Sequence, residues 1–261
     1  MLWSRQYQAI PRAFLPFTLT RPGTNNSIAL KPMNVLRDIP FQLAEADFQS
    51  RLHLDRFPDS RAGVQELLQA ALPLIRPKAL FKVSFIGRRT DSTVQIDETL
   101  FASRVLSRNL KEVERVFPYV ATCGDELEAL ESGTTDLFAR FCLDTLKELA
   151  LLAARDRLLE HLRAAYGVRE LSSMNPGSGD ARLWPISQQR PLFDLLGDVE
   201  GAIGVRLTAS LLMVPNKSVS GILFPTEVRF ESCQLCTRQG CPRRRAPYSG
   251  ELAEALSSFH G

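Results

Sequence analysis

Apolar positions recur at helical spacing in two stretches of the chain and alternate at strand spacing in several shorter ones. In RAGVQELLQAALPLI (61–75), Val64, Leu67, Leu68, Ala71 and Leu72 share one helical face, and Pro73 and Pro77 end it. ALFKVSFIGRR (79–89) predicts a strand, with Leu80, Lys82, Ser84 and Ile86 on one side and Phe81, Val83 and Phe85 on the other. A helix is expected near 99–109 and a strand at 115–123, RVFPYVATC. The longest helical pattern runs from about 136 to 165, capped by Thr134 or Thr135 with Asp136 in the first turn. At 1.5 Å per residue it spans about 45 Å and is expected to lay its apolar side across a sheet.

Elsewhere the periodicity lapses. Residues 1–45, rich in Pro, Asn and Arg, read as an extended lead-in with a short strand or two. SSMNPGSGDARLWPISQQ (172–189) reads as a loop of tight turns. A short helix at 191–201 follows, then strands at 218–224 and 227–232. Helices and strands mix without a regular βαβ alternation and without repeats, so the expected fold class is α+β. The expected organisation is a lead-in at 1–45, a domain at 46–230 and a cysteine-bearing tail at 231–261.

Composition narrows the function classes. The chain has 261 residues, 44% hydrophobic and 23% charged, enough for a substantial core. A net charge of +3 gives no nucleic-acid footprint, the local exception being Arg243, Arg244 and Arg245. No apolar run reaches the roughly 18 residues of a membrane span. Arg5, Pro11 and Arg12 interrupt what a signal peptide would need. The expectation is a cytoplasmic protein with neither a membrane nor a nucleic-acid partner. No Ser/His/Asp order, Walker loop or H-x-x-x-H pair supports hydrolysis or phosphoryl transfer. His53 and His161 carry no expected chemistry, and neither do Asp125, Glu126 and Glu128.

The cysteines change the picture more. Cys233, Cys236 and Cys241 have the spacing C-x2-C-x4-C, too tight for a disulfide framework in a chain with five cysteines. Thiolates at this spacing suit an iron–sulfur cluster or zinc. A fourth ligand would come from His260, Cys123, Cys142 or outside the chain. Cys142, inside the long apolar pattern, is expected to be core, and Cys123, at a turn before a helix, is a candidate for a lowered thiol pKa.

Two further stretches carry a resemblance. NPGSGD with WPISQQ (175–180 and 184–189), then LFDLL and IGVRLTASLLMVPNKSVSGILF (192–196 and 203–224), resemble the activation domain of vitamin B12-dependent methionine synthase, including its stand-alone forms. The most specific string is LTAS-x-x-M-x-P-x-x-SVSG, residues 207–221. The resemblance implies one α+β domain with a curved antiparallel sheet flanked by helices. It also implies binding of S-adenosylmethionine, and methyl transfer with one-electron reduction at a corrinoid supplied by a partner. That partner would be a corrinoid protein or B12-dependent methyltransferase, served by a low-potential electron donor. An iron–sulfur cluster at Cys233, Cys236 and Cys241 would relay the electron, with Arg243, Arg244 and Arg245 docking a redox partner or the corrinoid protein, whereas zinc there would be a structural knot pinning the C-terminus. A second reading is a docking module for a corrinoid protein that has lost S-adenosylmethionine.

The implied ligand site comprises Pro176, Gly177, Ser178 and Gly179 of the turn, Arg169 before it, and Lys217, Ser218, Ser220 and Gly221. Gly177 suits close backbone approach and positive φ. Ser218 and Ser220 share a strand face opposite Val219, and Lys217 offers a cation for a carboxylate or a corrin side chain. Trp184 stays open between core and a stacking surface for adenine or corrin. Where that family has an arginine and a tyrosine around its Pro-Gly turn, this chain has Ser173 and Ser178. Its Cys-Pro-Asp-His stretch is replaced by Trp184-Pro185-Ile186-Ser187.

Overall fold

Eight strands pair into one branched antiparallel sheet in the computed structural model, which describes residues 32–56, 60–178, 183–227, 230–241, 244 and 246–257. In chain order the strands are β1 (Asn34–Leu36), β2 (Lys78–Phe81), β3 (Ser84–Arg89), β4 (Thr93–Ile96), β5 (Thr99–Ala102), β6 (Arg115–Thr122) and β7 (Leu171–Met174), with β8 (Arg206–Leu207), β9 (Met213–Val214) and β10 (Ser218–Pro225). The helices are α1 (Glu45–Arg51), α2 (Arg61–Ala71), α3 (Arg104–Asn109), α4 (Glu128–Gly133), α5 (Leu137–Tyr166), α6 (Gln189–Leu196), α7 (Val199–Ile203) and α8 (Gly250–Ser257). The described residues fall in one unit, Lys31–Gly261. The first 31 residues of the expected lead-in lie outside them.

β6 is the trunk of the sheet. β10 runs along one edge, from Ser218 opposite Thr122 to Leu223 opposite Phe117, and β7 lies beyond it. Along the other edge β2 pairs with Tyr119–Thr122 and β3 with Arg115–Val116. Between them sits Pro118, which has no N–H to give; its carbonyl accepts from the Lys82 amide at 3.0 Å. Carbonyl and ring nitrogen of one strand residue face the same neighbour, so the proline spends its missing donor where β2 gives way to β3. From that seam the sheet forks, β1 continuing past β2 and the β4–β5 hairpin past β3.

Period-two alternation sends neighbours on each strand to opposite faces. Phe81, Tyr119, Ala121 and Leu223 pack under Ala154, Leu158 and Leu162 of α5. Leu80, Val120 and Ile222 face the other way, onto Leu192, Leu195, Leu196 and Ile203 of α6 and α7. Lys82 is buried at the seam and donates to the Leu195 carbonyl at 2.8 Å, closing the last turn of α6. Around the N-terminal half of α5, Phe48, Leu52, Val64 and Ala71 from the first two helices meet Leu143, Leu146 and Ala150. The expected α+β fold and the long helix are therefore both present.

Four local expectations differ. The predicted helix at 99–109 is a strand, β5, followed by α3; Asp97 at φ 48 turns the chain so that β5 pairs in register with β4. Leu171–Met174, partly placed in a loop, is a fully buried strand closing the sheet on β10. Among the described residues, 227–232 forms no strand; Glu231 makes an isolated bridge to Ser173 and a 3₁₀ turn follows at Ser232–Leu235. The cap of α5 is Asp136, which accepts from the amides of Phe138 and Ala139 at 3.0 and 3.3 Å, rather than Thr134 or Thr135.

Candidate functional site around the Pro-Gly turn

β7 delivers the chain to the turn Asn175–Ser178, closed by the Ser178 amide donating to the Asn175 carbonyl at 3.1 Å. Gly177 has φ +72 and donates its amide to the Trp184 carbonyl at 2.8 Å. A Cβ there would lie 2.7 Å from the Ile186 methyl, so both conformation and space require glycine. Beneath the turn, the Asn175 amide nitrogen donates to Tyr119 Oη at 2.9 Å and to the Ser220 carbonyl at 2.7 Å. Its oxygen accepts from Ser173 Oγ at 3.2 Å, and Ser173 also lies 3.2 Å from Tyr119 Oη. Gly221 completes the lock: a methyl there would strike Asn175 Nδ2 and the Met174 carbonyl. Two motifs more than forty residues apart, NPG and SVSG, are thus one packed unit across β6, β10 and β7.

The other predicted residues divide. Ser218 Oγ reaches Thr122 Oγ1 at 2.9 Å and the Pro215 carbonyl at 2.8 Å, and Ser220 is buried and contributes its carbonyl to Asn175. Pro176 is buried while Gly177 and Ser178 reach the surface; Gly179 lies outside the described residues. Lys217 is not an unengaged cation: its Nζ sits 2.8 Å from Asp144 Oδ2, pinning the start of β10 to α5. Trp184 is 1% exposed and packs edge-on to Phe101, centroids 6.0 Å apart, which places it in the core. Arg169 is exposed at the opposite end of β7 from the turn. Four extended residues, about 13 Å of strand, separate the two ends, and no inserted loop folds the arginine back.

Two concave features of different kinds are present among the described residues, and the turn borders the smaller. A water-sized cavity of about 10 Å³ lies among Val105, Met174, Asn175, Ser178, Leu183, Trp184, Phe230 and Leu235. Trp184 Nε1 is buried without a hydrogen-bond partner. A half-open depression of about 550 Å³ lies elsewhere, lined in part by Arg37, Phe41, Leu72, Ile75 and Arg76. Its volume suits a small ligand, yet it contains none of the predicted site residues. The turn is the better candidate because its residues are locked together and partly exposed, whereas the depression has only flanking side chains.

Sequence reasoning missed the tail's position beside this turn. Phe230 donates its amide to Ser172 Oγ at 2.7 Å, and Phe230 and Leu235 line the same small cavity as Trp184. Cys233, Cys236 and Cys241 follow, partly exposed. Arg244 threads its guanidinium into their loop and donates to the carbonyls of Cys233 at 2.9 Å, Cys236 at 3.1 Å and Arg238. Among the described residues no three Cys, His, Asp or Glu side chains gather into a metal-holding group. The thiols have the right softness for iron–sulfur or zinc, but as arranged they do not fit either. Arg243, Arg245 and His260 lie outside the described residues.

The two remaining cysteines are buried. Burial pushes the Cys123 thiol up to about 12, with the nearby Lys147 charge opposing it only in part. That corrects the expectation of a lowered pKa; the thiol is buried in the core around the N-terminal half of α5. Cys142 is core, as expected, and burial raises it to about 11. Of the acids following Cys123, Asp125 and Glu126 hold Lys78 at 3.0 and 2.7 Å, and Glu128 and Glu131 hold the buried Lys147 at 3.4 and 2.5 Å. No helix of the described residues is long and apolar enough to cross a membrane.

Residues 169–239 match the sequence model of the family described as the vitamin B12 dependent methionine synthase activation domain. The match spans the turn, the SVSG strand, Cys233 and Cys236, and stops short of Cys241. The fold is similar to that in the crystal structure of the MetH reactivation domain bound to AdoHcy, with a TM-score of 0.54. That likeness covers 78% of this chain and 82% of the other at 16% identity, and so is a likeness of fold. A search of curated proteins found none that match. Residues 169–239 are thus similar to the activation-domain family, and the chain's fold is similar to that of the reactivation domain.

Proposed function

We propose that this chain binds S-adenosylmethionine at the Pro-Gly turn and presents its methyl group to a corrinoid held by a partner protein, reactivating that partner. One observation carries the reading. The two stretches that resemble the activation domain, remote in sequence, interlock through Asn175 and Gly221 into a single partly exposed backbone surface. S-adenosylmethionine supplies a sulfonium methyl; the protein's contribution is to place it in line with cobalt and to keep water away. Backbone groups around Gly177 and Ser178 would hold the amino acid and adenine parts, with no covalent role for any side chain.

The electron for reductive reactivation would come from a low-potential donor. A relay through an iron–sulfur cluster at Cys233, Cys236 and Cys241 requires the thiols to regather around iron, away from the arrangement described. Iron and acid-labile sulfide per chain, measured on protein purified without oxygen, decide that part: matching iron and sulfide supports the relay, and their absence sends the electron directly from donor to corrinoid.

A second reading, a docking module without S-adenosylmethionine, is favoured by Ser173. Where the family has an arginine, this chain buries a hydroxyl in the network with Tyr119 and Asn175. Transfer of a labelled methyl group from S-adenosylmethionine to chemically reduced cobalamin, followed by the absorption of methylcobalamin, tests the first reading. Acceleration by the protein is expected. An unchanged rate, with the protein still binding a corrinoid protein, would leave the docking role.

A further inference from the structure

The tail carries chemistry that methyl presentation does not use. Cys233 lies in the 3₁₀ turn Ser232–Leu235 and Cys236 caps it, its amide donating to the Cys233 carbonyl at 3.3 Å. A 3₁₀ turn rises about 2 Å per residue, so the Cα atoms of residues three apart lie about 6 Å from one another, within the backbone span a disulfide bridges. Arg244 holds the turn in shape by taking both cysteine carbonyls on one guanidinium. Cys241 follows the Gly240 turn at φ +62, five residues after Cys236. Both paired cysteines are partly exposed, unlike Cys123 and Cys142.

The pair is wired to the candidate site. Leu235, between the two cysteines, lines the small cavity with Trp184, Asn175 and Ser178. Glu231, two residues before Cys233, bridges Ser173 of β7, and Gln234 accepts the Ser249 amide at 2.8 Å, fastening the segment that leads into α8. The cysteine turn and the indole therefore share one packed wall.

We propose that Cys233 and Cys236 are a dithiol–disulfide pair, a redox modification site whose state is registered at Trp184 and the Pro-Gly turn. The oxidant class is a low-molecular-weight disulfide such as glutathione disulfide. One protein thiolate attacks it, forming a mixed disulfide and releasing one glutathione thiol. The second protein sulfur then displaces the other glutathione, closing the Cys233–Cys236 bond. Two protein thiols lose two electrons and two protons, and one small disulfide becomes two thiols. The proposal does not depend on S-adenosylmethionine binding.

The test uses the full chain with Trp3→Phe, leaving Trp184 as its single indole. The protein is equilibrated in glutathione redox buffers without oxygen, quenched, alkylated and mapped by peptide mass, with Trp184 emission recorded in parallel. A Cys233–Cys236 disulfide with a two-electron midpoint is expected, and a Trp184 emission shift at the same midpoint. Cys241→Ser should keep both signals; Cys233→Ala and Cys236→Ser should each lose both. Four results would overturn it: pairing that includes Cys241, independent glutathionylation of all three cysteines, a disulfide that leaves Trp184 unmoved, or bound iron or zinc lost equally in all three single variants.

Discussion

Gly221 and Asn175 set the tolerance of the site at the scale of single residues. A methyl at Gly221 meets Asn175 Nδ2, held by Tyr119 and the Ser220 carbonyl, and the Met174 carbonyl, held by strand pairing, so neither can retreat cheaply. Gly221→Ala is expected to cost about 2 kcal/mol, read as a lower midpoint in urea unfolding; an unchanged midpoint would show that the turn can shift. The glycine itself was legible in the sequence, because SVSG and NPG both suit close backbone approach. What sequence could not supply was the partner. Asn175 attracted no attention as a side chain, yet its amide joins three strands. Sequence left Trp184 open between core and surface, and could not name a partner for Lys217, for a related reason: whether a cation is paired or an indole buried depends on α5 and β5, elements distant in sequence. Gly177→Val, the obvious probe of ligand binding, is strained at φ +72 and against Ile186, so Ser178 is the better position to alter.

Among the elements, α4 and α5 show how buried charge is tolerated. Lys147 is 1% exposed and held by Glu128 and Glu131. Burial disfavours its charge, but the Glu131 hydrogen bond and both carboxylates outweigh that and hold its pKa above the usual 10.5. A raised folded value means its contribution is whole below pH 10.5 and lost as the pH climbs through that raised value. Lys147→Met is expected to cost about 2 kcal/mol, since both carboxylates left behind still reach water. The deficit, measured as a difference in melting temperature, should shrink above pH 10.5; a deficit constant with pH would contradict this. Asp136→Ala should cost about 1 kcal/mol by uncapping α5, whereas Thr135→Ala should leave thermal stability unchanged. The long helix was legible from thirty residues of periodic pattern, but its cap was displaced by one or two residues because three capping residue types stand in a row. The β4–β5 hairpin was illegible for another reason. Its two-residue turn is Asp97-Glu98, without the glycine that announces such turns, and TLFA becomes a strand only through pairing with TVQI.

Over the whole molecule, the sheet forks at Pro118 and brings the C-terminal tail against the Pro-Gly turn. The match at 169–239 therefore describes a contiguous region in space as well as in sequence. The proposed reactivation requires this region to bind S-adenosylmethionine. Titration calorimetry on the full chain tests it most directly, with Ser178→Arg and Arg169→Ala alongside. Saturable micromolar binding is expected, weakened at least about tenfold by Ser178→Arg and untouched by Arg169→Ala, a position at the far end of β7. Absence of saturable heat, or equal loss in both variants, would contradict it and leave the fold as a docking surface.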